Sequence, residues 1–280
     1  FHDCNVTAAC YGCDTFVNCT LWSTPGANPG SSFYNCLFAV DSILMPGSGK
    51  WYYLYNCVAR RDITASQCTT NEFCRVDVRA EALKYDDDKR PLADSLMVDA
   101  GSWTLYTNKF PAAYIQFATT DLKGGPRKIG EIDVGCGEFD WRTMPATSGL
   151  DFTLVDNGDG TSTLSVKRNY TSEKLTTGFT YGDTTVSFAD HEEGYVWTKT
   201  LPKDELLEAT LRPVYAETQT DWYVDAVNGN DSNKGYSPMC ARKTLVAAMA
   251  LAKAYDTVHA APGTYDEGEM TNTVKLINSE

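Results

Sequence analysis

The sequence predicts an all-β chain in which coils of short parallel strands, residues 1–148 and 219–280, flank a small antiparallel sandwich at 149–218, with one amphipathic capping helix. Three observations lead there. A tetrapeptide of apolar, variable, Asn or Asp, Cys occurs four times, as FHDC, FVNC, FYNC and LYNC, ending at Cys4, Cys19, Cys36 and Cys57. Residues 149–216 change to alternating strands around an Asp/Gly turn. The stretch Trp222–Met270 reads in order as strand, loop, helix, strand and turn.

The tetrapeptides recur at intervals of 15, 17 and 21 residues between their cysteines. A heptad seam does not tolerate that drift. A stack of solenoid turns does, because insertions leave the stack as loops. Phe16 and Cys19 are three residues apart and would face opposite sides of a flat strand. A bend at Asn18 lets both point inward, and Asn enters the left-handed region more readily than other non-Gly residues. The expectation is one corner stack of Asn18, Asn35 and Asn56, with amides bonded rung to rung. Cys4, Cys19, Cys36 and Cys57 then stack inside it as small buried residues. A weaker copy without the Asn ends at Cys74. Further short strands are read at Leu96–Asp99, Tyr114–Phe117 and Ile129–Gly135. No helical period of useful length is seen in residues 1–140.

In the middle segment, FTLV, the turn Asp156–Gly160 and TSTLSVKR read as a hairpin with alternating faces. TTVSF, GYVWTK and ATLRPVY add strands, which suggests a sandwich of immunoglobulin-like architecture. Gly158 and Gly160 fall where a calcium loop wants ligands, so the turn is read as a plain hairpin turn. In the last segment Thr244 is placed to cap a helix. Leu245, Ala248, Met249 and Ala252 form its apolar stripe, suited to covering the open end of a strand coil.

Two stretches carry a resemblance. Asp121, Gly124 and Arg127, followed by Ile132, Asp133, Gly135, Cys136 and Glu138, resemble the closing segment of bacterial right-handed parallel β-helix proteins, with Cys136 in place of the usual Ala. Tyr223-Val224-Asp225, Lys243-Thr244 and Pro262-Gly263-Thr264-Tyr265 resemble the N-terminal start of pectate-lyase-like β-helix proteins. Tyr255-Asp256 stands where that pattern has Gly-Asp. The resemblance implies right-handed coils and an extracellular or cell-surface bacterial protein of structural or adhesive role. The competing implication is a calcium-dependent polysaccharide lyase, with carboxylates holding the ion and a Lys or Arg as base.

The run Asp86-Asp87-Asp88-Lys89-Arg90 is the one carboxylate cluster beside bases; its plainer reading is a solvated loop. Trp51, Tyr53 and Tyr55 are candidates for a sugar-stacking surface, against core packing with one exposed Tyr. No cofactor is required by the sequence, calcium being the one candidate. His2, His191 and His259 lie in separate segments with no nucleophile motif. Cys10 and Cys13 form a C-x-x-C, read as buried thiols or a local disulfide. The pairing of Cys68, Cys74, Cys136 and Cys240 is open. The formal net charge of −13 argues against nucleic acid and anionic membranes as partners. No apolar run approaches the ~20 residues of a membrane span. The chain starts in mid-repeat at Phe1 and is read as a segment of a longer polypeptide. Its two partial coils suggest end-to-end stacking with other copies, as filaments, rings or tandem arrays. Polysaccharide is the other partner considered.

Overall fold

A computed structural model describes residues 2–7, 15–22, 30–40, 52–60, 68–72, 74, 78, 80–87, 90–109 and 119–266, with only the backbone of residues 68–72 and 80. Strands dominate the described residues, which are all-β in class and hold two short α-helices. It divides into two compact units, residues 1–144 with 204–212, and residues 145–203 with 213–280. The expected sandwich and last segment therefore fall largely in one unit.

In the first unit the chain alternates between two sheets. β1 (Asn5–Val6), β3 (Thr20–Leu21), β5 (Leu37–Phe38) and β7 (Val58–Ala59) form one. β2 (Thr15–Val17), β4 (Ser32–Tyr34), β6 (Tyr52–Tyr55) and β8 (Cys68–Glu72) form the other. Every neighbouring pair is parallel, and equivalent tetrapeptide positions are in register: Phe16 opposite Phe33, Phe33 opposite Leu54. Leu21, Phe38 and Ala59 align in the other sheet. Phe16 and Phe33 stack with ring centroids 4.7 Å apart. These side chains meet Cys19, Cys36 and Cys57 in one buried core between the sheets.

Both sheets are also covered on their outer faces, which is why their strands read as near-continuous apolar runs. Leu37 and Val58 pack against Leu83, Met97 and Val134. Val17 and Tyr34 pack under α1 (Trp103–Lys109), through Tyr106. The helix escaped the sequence reading because seven residues with three large apolar side chains show no period. Leu96–Asp99 is not a strand but a pair of turns, and Ile129–Gly135 holds only an isolated bridge from Ile129 to Glu131. Their backbone groups bond to each other and to the strand corners instead, as in Gly101 N–H to Ile132 O and Gly135 N–H to Asn35 O. Tyr114–Phe117 lies outside the described residues.

In the second unit, β9 (Leu150–Asp156) and β10 (Thr161–Arg168) form the expected hairpin, with Asp156 opposite Ser162. β13 (Val196–Pro202) pairs on the other side of β10. A second sheet has the order β12 (Thr184–Ser187), β11 (Thr176–Tyr181), β14 (Leu211–Tyr215), the last three residues of β14 belonging to this unit. The sheets face each other through Phe179 and Trp197, with centroids 5.4 Å apart. β11 went unread in the sequence: its Gly178 breaks the pattern, yet a Cβ there would lie 2.2 Å from Val186 O.

β15 (Asp221–Val224) pairs in parallel with β16 (Thr257–Ala260). Between them lies α2 (Leu245–Met249), whose cap Thr244 accepts from Ala247 N–H at 3.1 Å. Leu245 and Ala248 pack on Val224, Val258 and Tyr265. The apolar stripe is shorter than expected. Met249 is half-buried, and Ala252 lies beyond the helix, because the chain turns at 250–251 on its way to β16.

Candidate functional site

The most organised polar cluster of the described residues lies along the corner of the first unit. Asn18, Asn35 and Asn56 separate the paired strands with φ of 51°, 50° and 51°. Asp3 occupies the same place in the first turn, φ 49°, and so is a fourth corner residue. The left-handed bend points both Phe16 and Cys19 into the core. Most L-residues pay about 1–2 kcal/mol for that backbone region; Asn and Asp are the exceptions.

The expected amide ladder exists only in part. Asn56 Nδ2 donates to Asn35 Oδ1 at 2.9 Å. The other corner bonds go to a strap formed by residues 99–102 and 127–138, whose carbonyls outcompete the neighbouring amides. Asn56 Nδ2 also donates to Ala100 O, Asn35 Nδ2 to Ser102 O and Asn18 Nδ2 to Asp133 O, at 2.9, 2.9 and 3.2 Å. Asn35 Oδ1 accepts from Ser102 N–H in return, at 3.1 Å. The segment likened to a terminal closure thus runs beside the turns, meeting Asn18 through Asp133 O and Asn35 O through Gly135 N–H, while residues 100–102 meet the Asn35 and Asn56 side chains.

Its motif residues hold the strap in shape. Arg127 is fully buried; Nη1 donates to Glu138 Oε2 at 3.1 Å, Nη2 to Gly135 O at 2.8 Å, and Nε lies 3.0 Å from Asp3 Oδ1. Asp3 Oδ2 accepts from the Tyr106 hydroxyl at 2.6 Å. Glu138 accepts from Ile129 and Asp133 N–H, and Asp133 from Asp99 and Phe139 N–H. Asp121 accepts from Lys123, Gly125 and Glu138 N–H. Gly135, φ 101°, is required because a Cβ would lie 2.7 Å from Thr20 Oγ1. Burial pushes Asp133 up to about 7 and Asp3 up to about 6, the latter against the pull of Arg127. Burial, then the Asp133 charge, raises Glu138. Burial by itself would lower the Arg127 guanidinium, but Glu138 and Asp3 hold it above its ordinary value.

Inside the corner, Cys4, Cys19, Cys36, Cys57 and Cys74 pack against one core; the first four thiols donate to backbone carbonyls, such as His2 O, Val17 O, Phe16 O and Phe33 O, and Cys74 Sγ accepts from Cys57 N–H. All five are free, and the middle three are buried. Cys19, Cys36 and Cys57 are closed off from solvent in the core, so these cysteines are packing material rather than a set of nucleophiles. Cys136 and Cys240 are free and buried, while Cys10 and Cys13 lie outside the described residues.

Among the described residues the remaining candidates do not assemble. Asp86 closes a tight turn, its N–H donating to Arg90 O and its Oδ1 accepting from Arg90 N–H, each at 2.9 Å. Arg90, expected nearby as a base, points its Nε at Asp121, 3.3 Å away. Asp87 is exposed, and Asp88 lies outside the described residues. Among the described residues no group of three or more His, Cys, Asp or Glu is placed to hold a metal ion. Asp156 accepts from Gly158 N–H and pairs with Lys203, as a hairpin turn. Of the aromatic candidates, Tyr55 stacks on Tyr34 at 4.8 Å beside α1, so it offers no open sugar face. Tyr53 is half-buried on the same outer side, and Trp51 lies outside the described residues. His259 pairs with Asp221 at 2.8 Å and stacks on Tyr223.

The sequence reading put Asp3 in the repeat but left it out of the corner stack, and it missed Asp99 as a corner-type residue. The signal was present: Met97-Val98-Asp99-Ala100 repeats apolar, variable, Asp, small, and Asp99 has φ 53°. Compared with known proteins, the chain matches no protein-family model, no curated protein and no solved structure.

Proposed function

We propose that this chain is a structural or adhesive segment of an extracellular, cell-surface bacterial protein, in which right-handed parallel β-helix turns flank an immunoglobulin-like sandwich. The observation that carries the reading is the in-register stack of turns with a left-handed corner residue in each. Such a stack invests its polar chemistry in holding itself together: every carboxylate of the corner cluster is committed to a backbone N–H, to Arg127 or to a hydroxyl. That supports a scaffold over a catalyst. β1 ends its sheet among the described residues, and in the other sheet His2 bridges in parallel to Val17 beyond β2, so the edges of this outermost turn suit another parallel turn, from the same protein or from a second copy. Carbohydrate is the adhesive target in this reading, with no resident cofactor.

The test is incubation of the chain with polygalacturonate and alginate, with and without calcium, followed by absorbance of unsaturated products and by affinity electrophoresis. Retarded migration without product formation is expected. Calcium-dependent product would replace the scaffold reading with a lyase.

A further inference from the structure

Among the described residues, β9 is the one edge strand of the sandwich without a guard. β12 is four residues long, β14 carries Pro213, and β13 ends at Pro202 and turns Lys199 inward over the Tyr181 ring at 5.5 Å. Short length, Pro and inward charges are devices that keep a sheet from adding strands. β9 has none of them: LDFTLVD is seven residues without Pro, Gly or a basic side chain. Its only neighbour among the described residues is β10, and Thr153, Leu154, Val155 and Asp156 are exposed. Leu154 and Val155 are 40% and 55% exposed, on opposite faces of the strand.

The register on β10 shows what this edge offers. Asn157 N–H donates to Thr161 O and Asn169 N–H to Gly149 O, so Asp151, Thr153 and Val155 turn their backbone groups to β10. Those of Phe152 and Leu154 turn to the other side, where an added strand must bond. Set antiparallel against itself about Thr153, β9 meets that requirement. Phe152 then faces Leu154 of the copy, Thr153 faces Thr153, and Asp151 faces Val155. Phe152 and Leu154 share a face with the buried Val166 and Leu164 opposite them on β10, so their pairing prolongs the core of the sandwich. The neighbouring register, about Leu154, sets Phe152 against the Asp156 carboxylate. Charge also favours a like strand. Asp151 pairs with Lys167 at 3.7 Å and Asp156 with Lys203, each within its own chain. The edge thus holds no unpaired carboxylate for a basic partner, and two copies meet with both ends already neutralised.

We propose that β9 is the interface of a two-fold pair of these chains, the two β9 strands running antiparallel about Thr153 and joining the β13-β10-β9 sheets of both copies into one. A two-fold contact closes on itself, so it is separate from any end-to-end stacking of the turns and does not rest on it. So short an edge makes a transient pair, which cross-linking captures. At the axis the Cα atoms of residue 153 lie about 4.5 Å apart, within disulfide range. The full chain carrying Thr153→Cys, incubated with oxidised glutathione, should give a covalent dimer whose linked peptides join residue 153 to residue 153. Val155→Cys is just as exposed but lies about 13 Å from its copy along the strands, and should not. Thr153→Lys sets two ammonium groups face to face and should weaken dimerisation severalfold in sedimentation equilibrium, a readout that serves if the Cys variant misfolds. A constant monomer mass of the unmodified chain up to millimolar concentration, absence of the 153–153 link, equal linking through residue 155, or unchanged association in Thr153→Lys would overturn the interface. The scaffold reading would survive that failure, since it stands on the first unit.

Discussion

Asp3, Asp133 and Glu138 crowd around a single buried guanidinium, and the imbalance has a sign. Asp3 titrates near 6 and Asp133 near 7 in the folded chain, above the ordinary 3.8. The native state therefore holds protons that the unfolded chain has released. This contribution to stability is complete below about pH 4 and is lost as pH rises through 6 to 7. The first unit should unfold at higher urea near pH 5 than near pH 8, and a midpoint that climbs with pH would contradict the placement of these carboxylates. Tyr255 makes a different prediction. It is fully exposed with φ 75°, at the position where the resembled pattern carries Gly. Tyr255→Gly relieves about 1–2 kcal/mol of backbone strain and adds up to about 1 kcal/mol of unfolded-state entropy cost. A net gain of about 0.5–1 kcal/mol in thermal unfolding is expected; a loss would show that the Tyr255 ring contributes contacts.

The strand turns and the strap depend on each other through the corner amides. Asn35 bonds to Ser102 twice and accepts from Asn56. Asn35→Leu removes all three bonds and places a γ-branched residue in the left-handed region, so a cost of about 2–4 kcal/mol is expected in chemical unfolding. A change under about 0.5 kcal/mol would mean that the strap is not seated on the corner. The turns were legible in the sequence because each carries the same four-letter record of its corner, and the hairpin because period-two alternation brackets an Asp/Gly turn. The strap was legible as a motif but not as a contact. Asn18 meets Asp133 across 115 residues of sequence, and no periodicity encodes that pairing. α1 was hidden for another reason: its Trp103, Leu105 and Tyr106 make sense only beside the outer face of β2 and β4. Tyr55 is a case of the same kind, since alternation gives the side of a sheet and not what covers it.

At the scale of the molecule, each unit has its own core and its own exposed strand edges. The edges of the outermost turn, at β1 and at His2 beside β2, carry the prediction about assembly. If another copy stacks there, the mass from light scattering should rise with protein concentration, whereas a constant monomer mass up to about millimolar would exclude copies as partners for these edges. The central claim is that the first unit is one stack of parallel turns. Five of the amides that cross from turn to turn are Asn18 to Tyr34 O, Asn35 to Tyr55 O, Thr20 to Cys4 O, Leu37 to Cys19 O and Val58 to Cys36 O. Native-state hydrogen exchange reads these amides directly. The stack predicts that all five are protected and open together, with one shared free energy that rises under acid as the strap tightens. Exchange at unprotected rates, or five unrelated opening energies, would contradict it.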